Sequence, residues 1–122
     1  MLGRSLLLST LLLASTSVFA APKAPAPISK AYKELIRKNH RDFDRCGQDE
    51  RKRTKKPVKG MVLVRFTVNG DGNVTDSGFI HNTTKSKFVA DCVVKGVEGL
   101  KFPANFGAPV TSTYPFKFNV KK

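Results

Sequence analysis

Between residues 60 and 68 every second position is apolar, with Val62, Val64, Phe66 and Val68 on one face and Met61, Leu63, Arg65 and Thr67 on the other. A two-residue period sustained this long predicts a half-buried β-strand, the strongest in the chain. Asn69-Gly70-Asp71-Gly72-Asn73 follows, dense in residues that tolerate positive φ, and predicts a turn into a second strand over residues 74–81. Near the end, Val110, Tyr114, Phe116, Phe118 and Val120 alternate with Thr111, Thr113, Pro115, Lys117 and Asn119, which predicts a third strand.

Two other stretches carry the helical period. Ile28, Tyr32, Leu35, Ile36, Phe43 and Cys46 recur at three- and four-residue spacing, with basic side chains at many intervening positions, and predict one amphipathic helix stopped at Gly47. Phe88, Val89, Cys92, Val93 and Val97 predict a second, ended by Gly96 and Gly99. The order helix, strand, strand, helix, strand implies a two-layer α+β domain over residues 28–122, a three-stranded antiparallel sheet whose apolar face is covered by the second helix. Gly78 weakens the second strand and Pro115 removes a donor from the third, so both belong at edges and the sheet order is second, first, third.

The first twenty residues are of another kind. Arg4, a short run containing six leucines, and the ending Val18-Phe19-Ala20 have the layout of a secretory signal peptide cleaved after Ala20. The apolar run is shorter than the ~18 residues that suggest a membrane span. Residues 21–27, with three prolines, predict a short extended leader. The mature protein is therefore expected outside the cytoplasm. There an even pair of cysteines, Cys46 and Cys92, most often forms a disulfide. Two buried thiols or a redox pair are the alternatives, and the latter lacks a Cys-x-x-Cys spacing.

The 122 residues carry a formal net charge of +13, and of the charged residues only Arg4 lies in the signal. Arg51, Lys52, Arg53, Lys55, Lys56 and Lys59 fall within nine positions that include Pro57, read as an exposed loop. Such a run is either simply solvated or drawn to anionic lipids and wall polymers. Nucleic acid is not expected, because the protein is exported and no aromatics interleave the charges. Catalytic constellations are missing from the pattern. His40 and Asp44 supply too few metal ligands, Asp71, Asn73 and Asp76 fit a turn better than a calcium loop, and His81 has no nucleophile beside it. The reading is of a non-enzymatic protein without a cofactor.

Cys46, then Pro57-Val58-Lys59-Gly60 leading into residues 61–66, Gly70-Asp71-Gly72-Asn73-Val74, Asp91-Cys92-Val93-Val94, Phe102-Pro103 and Tyr114-Pro115-Phe116-Lys117-Phe118 together resemble the AgmX/PglI C-terminal domain family. That domain is in turn similar to the C-terminal domain of TonB, the envelope protein that links inner-membrane energy to outer-membrane transporters. The resemblance implies a TonB-C-like fold, a Gram-negative periplasmic setting and an envelope protein as partner. A cleavable signal and a seven-residue leader, in place of the anchor and long spacer of TonB-type transducers, imply that this chain does not itself transduce force. The edge of the third strand, with Val110, Thr111, Thr113, Tyr114, Phe116 and Lys117, is the expected docking line for an added partner strand.

Overall fold

A computed structural model describes Gly3 and residues 28–121. The signal segment at residues 1–20 and the leader at 21–27 lie outside the described residues, apart from Gly3. The elements run α1 (Lys30–Lys38), α2 (His40–Thr54), β1 (Val58–Val68), β2 (Val74–Asn82), α3 (Lys87–Glu98) and β3 (Val110–Val120). The three strands form one antiparallel sheet of order β2-β1-β3, as the pattern predicts.

The first helical region departs from expectation in two places. It is broken at Asn39, whose φ of −101° and ψ of 17° leave the helical well, and whose side-chain amide donates to the Leu35 carbonyl. An asparagine that can bond local backbone in this way competes with helix continuation. The chain then continues as helix through Gly47 to Thr54 and stops at Lys55, which takes the left-handed conformation at φ 61° and donates its N–H to the Arg51 carbonyl. Gly47 is not a terminator. A Cβ built there would lie 2.8 Å from Cδ1 of Phe118 and 3.0 Å from Cγ2 of Val120, so the residue is small because α2 and β3 approach closely at this point.

Val62, Val64, Phe66 and Val68 of β1 are completely buried, and Val89, Val93 and Val97 of α3 meet them from the helical layer. Cover over the sheet is shared rather than left to α3. Phe43 of α2 packs on Phe116 of β3 with ring centroids 4.6 Å apart, and Tyr32 of α1 packs on Phe102 at 4.7 Å. Phe102 in turn stacks on Phe66 at 5.3 Å. The Cys46–Cys92 disulfide ties α2 to α3, and it leaves Cys46 in the middle of a helix rather than at its end. A second tie lies one turn further along α2. The carboxylate of Glu50, almost fully buried, accepts from the Ser86 hydroxyl at 2.8 Å and from the Arg53 guanidinium at 2.7 Å. Ser86 is also the N-cap of α3, its Oγ accepting from the Val89 N–H.

The turn between β1 and β2 is built by Asn69, whose side-chain oxygen accepts from the N–H groups of Asp71 and Asn73. Gly70 and Gly72 then receive the loop before β3 through their carbonyls, from the N–H groups of Asn105, Phe106 and Phe102.

Candidate partner-binding groove

Both outer strands have a free side among the described residues, but they differ as templates. The β1–β2 ladder has two register irregularities, between Leu63 and Val64 and between Thr67 and Val68, that interrupt the edge of β2. The β1–β3 ladder is unbroken across eleven pairs, from Val58 opposite Val120 to Val68 opposite Val110. Bulges blunt a sheet edge, whereas a long regular strand leaves a row of backbone donors and acceptors, here lacking only the N–H of Pro115. Pro115, opposite Leu63, is tolerated because β3 has a neighbour on one side only.

A groove of about 560 Å³ runs along this edge. One wall is five consecutive residues of β3, Tyr114, Pro115, Phe116, Lys117 and Phe118. Consecutive strand residues point to opposite faces, so a cleft touched by all five follows the edge of the strand rather than either face. The opposite wall is largely helical, with Ile28 just before α1, Lys33, Ile36 and Arg37 of α1, and His40, Phe43 and Asp44 of α2. A second cleft of about 410 Å³ shares Asp44, Lys117 and Phe118 and extends the line past Gln48 to Asn119, Val120 and Lys121. Together they flank the chain from Tyr114 in β3 to Lys121 just beyond it, eight residues, or about 26 Å if extended.

The predicted edge residues are distributed unevenly along this line. Tyr114, Phe116 and Lys117 line the groove, with Phe116 buried and Lys117 exposed. Val110, Thr111 and Thr113 lie outside it. The Thr111 hydroxyl is engaged with that of Thr67 at 2.8 Å. Ser112, passed over in the alternation, is fully inward, and its Oγ is buried without a hydrogen-bond partner. The helical wall was also missed. The spacing of Ile28, Ile36 and Phe43 marked an apolar stripe, but nothing in it showed that part of the stripe would stand beside β3.

The basic run is not one loop. Arg51, Lys52 and Arg53 belong to the last turn of α2, Lys55 and Lys56 to the turn after it, and Lys59 to β1. The helix continues because Gly47 does not break it and Pro57 comes only after Lys55 has capped it. Arg53 is paired with Glu50, and its guanidinium carbon lies 5.1 Å from the centre of the Phe88 ring. The basic side chains at the end of α2 also suit the negative end of the helix dipole, an ordinary structural use of such a run. Among the described residues no group of three His, Cys, Asp or Glu side chains could hold a metal ion, and no helix is long and apolar enough to cross a membrane.

A regular edge strand, a helical wall and the order β2-β1-β3 define the architecture to compare. The fold is similar to that of a TonB C-terminal domain. The NMR solution structure of the TonB C-terminal domain of Helicobacter pylori superposes with a TM-score of 0.60 over 78% of this chain and 86% of that one, at 23% sequence identity. No protein-family model matches the chain, and no curated protein matches it.

Proposed function

We propose that this chain is an exported, non-catalytic module of the Gram-negative envelope that captures an extended segment of another envelope protein along β3. The observation that carries this reading is the eleven-residue regular edge of β3 standing beside a groove open from Tyr114 to Lys121. An added strand pairs with the backbone of that edge on either side of Pro115, which has no N–H to donate, and the groove takes its side chains. The TonB-like fold and the disulfide, a bond that persists in oxidising compartments, support a periplasmic setting. The motifs between Cys46 and Phe118 that resemble the AgmX/PglI domain are the support for placing the chain in that family. The test is a pull-down from envelope extract at low and high salt, followed by amide shifts in the isolated domain on adding the captured segment. Shifts centred on residues 114–121 are expected, and shifts elsewhere with β3 unaffected overturn the reading.

The gathering of Arg51, Lys52, Lys55, Lys56 and Lys59 where α2 ends and β1 begins supports a second reading, attraction to anionic lipid or wall polymer. Salt separates the two, because backbone pairing is weakly screened and surface charge is strongly screened.

A further inference from the structure

The walls of the groove are not neutral. Lys33 and Arg37, four residues apart on α1 and so on one helical face, stand along one side, and exposed Lys117 stands on the β3 side. Lys121 continues the line at the far end. Against these cations the groove presents one carboxylate, Asp44. Among the described residues none of Lys33, Arg37 and Lys117 has a carboxylate within ion-pair distance, the only such bridge being Arg53 to Glu50. Between the cations the floor is apolar, with Ile36, Phe43, Phe116 and Phe118 all buried. A strand laid beside β3 turns every second side chain toward the helical layer, where that floor lies.

We infer that the segment bound along β3 is acidic, with apolar side chains over the buried floor, carboxylates on the helix-facing side meeting Lys33 and Arg37, and a carboxylate on the opposite face meeting Lys117. This inference rests on the strand-capture reading above and adds the chemistry by which one segment is preferred to another. Backbone pairing alone accepts almost any extended chain, so discrimination must come from the walls. Like charges brought against three unpaired cations are disfavoured, which turns away the basic segments that the same ladder would otherwise accept.

The probes are three synthetic ten-residue peptides in which valine alternates with serine, carrying two glutamates, two glutamines or two lysines at the same positions. Each is titrated into the isotopically labelled domain, with the amide shifts of β3 as the readout. The glutamate peptide is expected to bind about tenfold tighter than the glutamine peptide in low salt, the sum of a few exposed pairs. The lysine peptide is expected to bind weakest. In about 1 M salt, where screening shortens to about 3 Å, the three should converge while β3 still shifts. Lys33→Glu combined with Arg37→Glu, both exposed on α1, should reverse the order of the glutamate and lysine peptides. Equal affinity of all three peptides, with β3 shifting, overturns the acidic preference and leaves strand capture standing. A preference for glutamate whose shifts map to residues 51–59 also overturns it, placing the attraction at the basic surface. No β3 shift with any peptide at millimolar concentration overturns both the preference and the capture on which it rests.

Discussion

Breaking the Cys46–Cys92 bond is the perturbation whose magnitude is best defined by the structure. The bridge closes a loop of sequence separation 46 and joins α2 to α3. In the chain-entropy treatment, a loop of that length restricts the unfolded chain by about 4 kcal/mol at 25 °C. A domain of this size is stable by roughly 5–14 kcal/mol in total, so the bond accounts for a large share. With an unfolding entropy of about 2.1 cal/mol/K per residue, the loss corresponds to a fall in Tm of about 20 °C. The protein to compare with the oxidised form is Cys46→Ala/Cys92→Ala, which avoids placing a new polar group where Cys46 is buried. Urea and thermal melts of the two, read by circular dichroism, measure the difference, and reduction of the parent should reproduce it. The effect should also be local. Phe43, Asp44 and Gln48 on α2 line the groove, so hydrogen exchange should rise in α2 before it rises in β1. A stability difference below about 1 kcal/mol would refute the reasoning, because it would mean the unfolded chain is not appreciably restricted by the bond.

Further substitutions test particular contacts. Gly47→Ala gains about 1 kcal/mol of helix propensity but drives a methyl group against Phe118 and Val120, an overpacking cost of about 1–3 kcal/mol; a net loss in urea melts is expected, and a gain would show the glycine is not required by packing. Glu50→Ala removes the acceptor shared by Ser86 and Arg53 and should cost about 2–3 kcal/mol, with α3 fraying at its start in hydrogen exchange. Ser112→Ala deletes a buried hydroxyl that has no partner and should leave stability unchanged or raise it by up to about 1 kcal/mol; a loss above that would reveal a bond to Oγ. Intact-mass measurement on protein recovered from its native cells should show a chain beginning at Ala21, and a mass that retains residues 1–20 would contradict cleavage.

Sheet and helix periodicities are local signals, and here they were enough for much of the architecture. Alternation along residues 60–68 and 110–120 marked β1 and β3, while Gly78 and Pro115 assigned the edges, because a weakened strand and a missing donor are tolerated only there. The pairing of Cys46 with Cys92 was also legible, since two cysteines leave a single internal bond to make. The end of α2 was not. Whether Gly47 stops a helix or admits a neighbour depends on Phe118 and Val120, more than seventy residues further along the chain, and no window around Gly47 contains them. Nothing near Glu50 in the chain marks its role either, because its partner Ser86 lies 36 residues away. The groove depended most on the third dimension. Its two walls, α1–α2 and β3, lie at opposite ends of the described chain, and they form a site only because the sheet places its last strand on the side where the first helices pack.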